Sequence, residues 1–224
     1  MMRSFSPATS NLVSRFLTAC AVLGVGLALL PAAACKSTGV GDPCTPEAEY
    51  NPEFNGFSVD EVNFESKSFQ CQTRLCLVNH FQGRVSCQYG QDVNGAGPAG
   101  YNGCTVPNDP QTPIVGDPNL KDSAKVVQPQ CANRDADKAV YCSCRCANAD
   151  GKTDDGLPYC DCPDGFTCSH LVDSISSSGN KISEGLTGSF CIKQNTDYDL
   201  NQACQSCDPA VTSCDGPQTK QGGS

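Results

Sequence analysis

Cysteine is the residue that most constrains how this chain can fold. The chain has 18 cysteines among 224 residues, and sixteen of them lie beyond residue 43. An even number at this density is typical of a domain held together by disulfide bonds in an oxidising compartment. We therefore predict eight bridges, whose pairing cannot be deduced from the spacing. The sixteen candidates are Cys44, Cys71, Cys76, Cys87, Cys104, Cys131, Cys142, Cys144, Cys146, Cys160, Cys162, Cys168, Cys191, Cys204, Cys207 and Cys214.

The rest of the composition indicates a small apolar core. The chain has no tryptophan, 7% aromatic residues, 21 glycines and 15 prolines, so few large side chains are available for burial. Each disulfide can add about 2–4 kcal/mol to the free energy of unfolding, mainly by constraining the unfolded chain. We predict a small disulfide-rich fold, mostly β with long irregular loops, and little helix beyond the first 34 residues.

The first 34 residues have the pattern of an export signal. A lead with Arg3 and Arg15 and no acidic residue precedes an apolar run from Phe16 to Leu30. A basic lead, a short apolar core and small residues before a cleavage site are typical of such signals. The run counts fifteen residues, whereas a membrane-spanning helix needs about 20. We therefore predict that residues 1–34 are a signal peptide that is removed, rather than a permanent transmembrane anchor.

The cleavage site resembles the lipobox of bacterial lipoproteins. Ala32, Ala33 and Ala34 precede Cys35, as small or aliphatic residues precede the lipidated cysteine in that family. The resemblance implies cleavage before Cys35, a diacylglyceryl group on its sulfur and a further acyl chain, such as palmitate, on its new amine. One acyl chain gives only marginal membrane binding, so several chains together attach a protein firmly.

The residue after this cysteine implies a location. Lys36 is not the Asp that keeps such lipoproteins at the inner membrane, so the resemblance implies a lipid anchor in the outer membrane, facing the periplasm or the surface. Cys20 lies at the start of the apolar core, so we do not assign the lipid to it. Ala32 stands where the family usually has Leu, and the alternative is an ordinary signal peptide and a secreted protein.

Charge restricts the partners of the exported chain. Residues 1–34 contain two basic and no acidic residues, so the remaining chain has 13 basic and 24 acidic residues and a net charge near −11. Such a surface argues against nucleic acid or anionic lipid as a partner. The partners we expect are the membrane, through the N-terminal lipid, and an envelope protein or glycan.

Composition divides the exported chain into five segments. Residues 35–43 are predicted to be the lipidated N-terminus and a flexible tether, because they are small and polar. A first cysteine-rich β module follows at 44–89. Gly and Pro dominate 90–130, which is either a linker between two modules or a surface loop of one. A second cysteine-rich β module covers 131–214, and a disordered tail covers 215–224.

Stretches in which apolar and polar residues alternate, and short continuous apolar stretches, predict the strands within these modules. The clearest hairpin signal is the pair of segments 75–81 and 84–89 around Gln82-Gly83. In the second module we predict strands at 139–146 and 159–162, which would place alternate cysteines on one face. A further strand pair is predicted at 166–172 and 188–193.

Part of the second module resembles the end of an EGF-like domain. Cys160-Asp-Cys162-Pro-Asp-Gly-Phe166-Thr-Cys168 matches its Cys-x-Cys-x-x-Gly-Phe pattern before a final cysteine, although the final spacing is shorter here. The resemblance covers nine residues and implies a small disulfide-bonded β-hairpin.

Two groups of residues could bind a metal. Cys142, Cys144, Cys146, Cys160, Cys162 and Cys168 could supply a zinc site with four thiolates, but export favours their oxidation to disulfides. Asn148, Asp150, Asp154 and Asp155 partly resemble a calcium loop, although Cys146 and Leu157 stand where ligands belong. We favour a solvated turn there and expect no metal and no cofactor.

Catalytic motifs give no support to an enzyme. The chain has two histidines, His80 and His170, and neither lies in a recognised hydrolase, metalloprotease or haem-attachment pattern. We therefore predict a membrane-anchored, non-enzymatic protein with a binding or structural role at the cell envelope. The alternative is an envelope enzyme or metal-binding protein that uses the cysteine cluster or the Asp-rich turns.

Overall fold

The structure is a computed structural model. It describes residues 39–120, 125–172, 187–199, 201–210 and 214, which all belong to one compact unit, Thr38–Ser224. The predicted signal peptide, Cys35 and the predicted tail at 215–224 lie outside the described residues.

Strands dominate the part of the chain that the structure describes, as predicted. Its helical segments are a 3-10 turn at Glu47–Tyr50 and one short helix, α1, at Ala136–Ala139. No helix in the described ranges has the length and apolar character to cross a membrane. The strands are β1 (Val62–Glu65), β2 (Leu75–Asn79), β3 (Thr105–Val106), β4 (Asp109–Pro113), β5 (Val140–Ser143), β6 (Arg145–Ala147), β7 (Phe166–Val172) and β8 (Gly188–Lys193).

The central sheet is antiparallel, in the order β1-β2-β5. Its middle strand β2 is buried at every residue, which explains why its sequence is a continuous apolar run and not an alternation. Leu77 faces a cluster that includes Phe190 and Ile192 of β8. Val78 faces a second cluster on the opposite side, which includes Phe81 and several cysteines.

The predicted hairpin at Gln82-Gly83 is wrong. Strand β2 pairs with β1 and β5 on its two edges, so it has no free edge for residues 84–89. Gly83 instead forms an isolated antiparallel β-bridge with Phe57. Its backbone also approaches Gln128 so closely that a Cβ on residue 83 would lie 2.2 Å from the Gln128 carbonyl oxygen. The glycine at this position therefore permits a close backbone contact rather than a two-residue turn.

Residues 90–120 and 125–130 belong to the same compact unit as the rest of the described chain. Strands β2 and β5 and the bridge Cys71–Cys142 join the segments on either side of this stretch. This stretch carries the β3-β4 hairpin. Its residues Cys104, Ile114 and Val127 form a small core together with Cys87 of the preceding segment.

A second antiparallel sheet has the order β6-β8-β7, and its β7-β8 pair confirms the prediction for 166–172 and 188–193. The predicted strand 139–146 is divided at Cys144, because β5 pairs with β2 whereas β6 pairs with β8. Residues 159–162 are not a strand, although the Cys160 amide donates to the Arg145 carbonyl.

The predicted tether is shorter than 35–43. Gly41 donates its backbone N–H to the Cys142 carbonyl at 2.8 Å, and Cys142 donates to the Asp42 carbonyl at 2.8 Å. Pro43 also forms an isolated antiparallel β-bridge with Tyr141. These bonds extend the central sheet beyond β5, so the chain from Gly41 onward is part of the fold.

Candidate functional site

All sixteen cysteines beyond Cys35 are paired in the structure, which confirms the prediction of eight disulfides. Their Cα atoms lie 5.0–6.3 Å apart, within the range normal for disulfides. The bridges are Cys44–Cys76, Cys71–Cys142, Cys87–Cys104, Cys131–Cys204, Cys144–Cys160, Cys146–Cys168, Cys162–Cys191 and Cys207–Cys214.

Three of these bridges lie together and form what we call the sulfur cluster: Cys144–Cys160, Cys146–Cys168 and Cys162–Cys191. Its centre is Cys191 of β8, whose Sγ lies 3.7 Å from the Sγ atoms of both Cys144 and Cys160. Cys146 and Cys162 also place their sulfurs within 4.8 Å of it and of each other.

The sulfur cluster contains five of the six cysteines considered for zinc. The sixth, Cys142, pairs with Cys71 in the central sheet, and Cys191 joins the cluster although its spacing gave no sign of it. Zinc is bound by thiolates, and sulfurs that are bonded to one another supply none. In the disulfide-bonded form the cluster is therefore a cross-link between β6, β7, β8 and the segment around Cys160.

The calcium candidates lie in an exposed turn and bind one another or the backbone. The Asn148 side-chain oxygen accepts backbone N–H groups from Asp150 at 3.0 Å and Lys152 at 2.8 Å. Asp155 accepts from the Asn148 side-chain amide at 3.1 Å and from the Tyr159 hydroxyl, and the latter bond lowers the pKa of Asp155. Asp154 is exposed. Within the described ranges, the groups of three or more ligand atoms close enough for one ion consist of cysteines.

His80 packs as part of the fold. Its ring stacks on Tyr198 with 4.1 Å between centroids, and its Nδ1 lies 3.0 Å from the Val59 carbonyl oxygen. Burial lowers the pKa of His80. The other histidine, His170, lies on β7 opposite Ser189 and is exposed.

Two buried arginines, which sequence reasoning would place at the surface, organise the loops. Arg84 is fully buried and donates to the carbonyls of Phe54 and Glu49. Arg134 donates to the carbonyls of Asn79, His80 and Thr196. These contacts join loop segments to one another and, through Asn79, to the end of β2, because a buried guanidinium offers several donors in a rigid plane.

The carboxylate of Glu49 is also buried and completes this arrangement. It accepts N–H groups from Val85 and Ser86 and the Ser86 hydroxyl at 2.7 Å. Burial raises the pKa of Glu49, and the hydrogen bonds from Ser86 oppose that effect. We interpret the Glu49 and Arg84 contacts as structural, because they link the 3-10 turn to residues 84–86.

The most exposed large apolar side chain in the described ranges is Phe69, with 87% of its surface accessible. It lies on the loop 66–74 between β1 and β2, and the Arg74 guanidinium sits 4.5 Å from its ring centre. The ring borders a groove of about 490 Å³, which we call the Phe69 groove. Its lining includes Glu47, Tyr50, Glu65, Lys67, Phe69 and Arg74.

The loop that carries Phe69 is held at several points. The Cys71–Cys142 bridge ties it to β5. Ser68 donates its backbone N–H to the Arg74 carbonyl at 3.1 Å. Gln70 both donates to the Thr45 carbonyl at 2.8 Å and accepts from the Thr45 N–H at 3.0 Å. The exposed ring therefore stands on a fixed support.

A second groove of about 370 Å³ lies beside the β3-β4 hairpin. Its turn residue Asn108 has a φ of +63°, a conformation that Asn tolerates better than most residues. Its lining combines apolar side chains such as Val85 and Val106 with the hydroxyl and amide groups of Ser86, Asn102, Thr105 and Asn108.

Comparisons with models of protein families, with curated proteins and with solved structures found no significant match.

Proposed function

We propose that this protein is a lipoprotein of the bacterial cell envelope, anchored in the outer membrane through Cys35, with a non-enzymatic binding or structural role. The observation that carries the proposal is the complete pairing of the sixteen cysteines that follow Cys35. Such a pattern requires an oxidising compartment, and it leaves Cys35 as the one cysteine of the exported chain that has no disulfide role.

The binding part of the proposal rests on the surface. Disulfides hold loops in place without a large core, and exposed loops on a rigid support are where proteins most often carry binding residues. The groove beside β3-β4 offers hydroxyl and amide groups, which suit the hydroxyls of an envelope glycan or the backbone of an envelope protein.

Membrane fractionation tests the anchor, and the signal peptide provides a matched control. Cys35→Ala removes the proposed lipidation residue, and Cys20→Ala removes the other cysteine that precedes the domain. We expect wild-type and Cys20→Ala protein in the outer-membrane fraction and Cys35→Ala protein absent from it. A Cys35→Ala protein that still reaches the outer-membrane fraction, or a Cys20→Ala protein that does not, contradicts the assignment.

Thermal unfolding tests the glycan class of partner. We expect soluble fragments of envelope glycans to raise the Tm of the wild type, because a ligand that binds the folded state stabilises it by mass action. Asn108→Gly is the control, since glycine keeps the positive φ and removes only the amide. If the two proteins respond equally, the glycan is not bound at the groove beside β3-β4.

A further inference from the structure

The position of Gly39 limits where the lipid can be. Gly39 packs against Gln72, so closely that a Cβ at residue 39 would lie 2.9 Å from the Gln72 Cβ. Cys35 precedes Gly39 by four residues, and an extended chain spans at most about 3.6 Å per residue. The covalent chain therefore keeps Cys35 within about 14 Å of Gly39.

Gln72 belongs to the loop 66–74, which also carries Phe69. Lys67, Phe69 and Arg74 are all exposed, and a glutamine three residues from Phe69 lies within about 11 Å of it along the chain. A lipid anchored at Cys35 thus brings the bilayer surface to the same part of the domain as its most exposed aromatic ring.

The charge of this loop differs from that of the whole domain. Residues 66–74 contain two basic and no acidic residues, in an exported chain with 13 basic and 24 acidic residues. The surrounding Phe69 groove adds Glu47 and Glu65, which makes it neutral overall. A strongly acidic domain is repelled by an anionic membrane, and a side without net negative charge avoids that repulsion.

We propose that the loop 66–74 is the face with which the domain docks on the lipid surface. Phe69 enters the boundary between headgroups and acyl chains, where amphipathic surfaces gain from burying apolar side chains. Lys67 and Arg74 contact headgroup phosphates, and Tyr50, which is 42% exposed, lies at the same level. The inference rests on the proposed anchor at Cys35, and it adds that the domain has one fixed orientation on the membrane.

The absence of tryptophan from the chain gives a direct test. Phe69→Trp places the chain's single tryptophan, which can be excited selectively, on the proposed docking face. Val93→Trp places it at another exposed apolar position, 51% accessible, beside Asp92. The full lipidated protein is reconstituted into vesicles of phosphatidylethanolamine and phosphatidylglycerol, with and without bromine on the acyl chains. Flotation of the vesicles first establishes that each variant is attached.

We expect the tryptophan emission of the Phe69→Trp variant to shift to the blue and to be quenched by brominated lipid, while the emission of the Val93→Trp variant stays quenched by aqueous iodide. If both variants float with the vesicles but their emission responds in the same way, the docking face is wrong while the anchor stands, and Phe69 is free for a protein partner. If the protein does not float at all, the anchor and the docking face both fail.

Transfer of the lipidated protein between vesicles tests the energetics. Full burial of a phenylalanine side chain corresponds to about 10-fold or more in an equilibrium constant, so Phe69→Ser is expected to speed exchange about 10-fold. Leu157→Ser, at a site that is 50% exposed on another loop, is expected to leave the rate unchanged. Equal rates for the two variants would contradict the proposal.

Discussion

The central sheet and the sulfur cluster are stabilised in different ways within one compact unit. In the sheet, Leu77, Val78 and Tyr141 are almost fully buried. Two disulfides, Cys44–Cys76 and Cys71–Cys142, tie the neighbouring loops to strands β2 and β5. Around the sulfur cluster, residues 149–158 are exposed throughout, and three disulfides take the place of apolar contacts.

The difference shows that the few large apolar residues of the chain are concentrated around the central sheet. A chain with few aromatics can bury one sheet on both faces, and β8 contributes Phe190 and Ile192 to that core. The polar stretch beyond β6 has nothing comparable to bury. Its position is therefore fixed by covalent bonds, which need no apolar surface.

The largest effect is expected from opening the sheet bridge. The double variant Cys71→Ala/Cys142→Ala releases a loop whose ends are 71 residues apart, which corresponds to about 4 kcal/mol of lost stability in the loop-entropy account. Urea unfolding measures this loss. A loss below about 1 kcal/mol would mean that apolar packing alone holds the sheet.

A core truncation in the same sheet is expected to cost somewhat less. Leu77 is fully buried in the middle of β2, so Leu77→Ala removes apolar contacts and leaves a cavity, at a cost of about 3 kcal/mol. Leu157→Ala, in the exposed segment near the sulfur cluster, should change the free energy of unfolding by less than about 0.5 kcal/mol. Similar losses of unfolding free energy in the two variants would contradict the proposed difference between the central sheet and the sulfur cluster.

A smaller global effect is expected in the sulfur cluster. The double variant Cys144→Ala/Cys160→Ala raises the conformational entropy of the unfolded chain. It also raises the conformational entropy of the exposed residues 149–158 in the folded state, so the two gains partly cancel in the free energy of unfolding. We expect a loss of about 1 kcal/mol, with faster hydrogen exchange confined to residues 145–160. Faster exchange in β2 as well would show that the two regions unfold together.

The smallest effect is expected from pH, and it belongs to the sheet region. Burial lowers the pKa of His80 below its usual 6.5, so the folded state binds fewer protons than the unfolded state. The associated stability is fully present above pH 6.5 and is lost as the pH falls through the lowered pKa. Asn tolerates the φ of +51° at this position, so His80→Asn should remove this part of the pH dependence, as measured by urea unfolding between pH 7 and 4.

Some of the architecture followed from local sequence. The even cysteine count predicted full pairing, and the alternation in 166–172 and 188–193 predicted β7 and β8, because both signals are local. The hairpin at Gln82-Gly83 failed because the partners of β2 lie far along the chain, and local turn chemistry does not report them.

The candidate site was harder to foresee. Arg84 and Glu49 are charged, and nothing in the sequence distinguishes them from surface residues. Phe69 is the reverse case, because an isolated aromatic residue is normally assigned to a core. Only the fold places Gln72 against Gly39 and thereby relates Phe69 to the proposed lipid anchor.

Mass spectrometry of the protein extracted from cell envelopes, with disulfide mapping before reduction, tests the central claim most directly. The account predicts a chain that begins at an acylated Cys35, gains sixteen hydrogens on reduction of its eight bridges, and yields linked peptides for Cys71–Cys142 and for the sulfur cluster. Free thiols with stoichiometric zinc, or a mature chain that begins elsewhere without lipid, would contradict it.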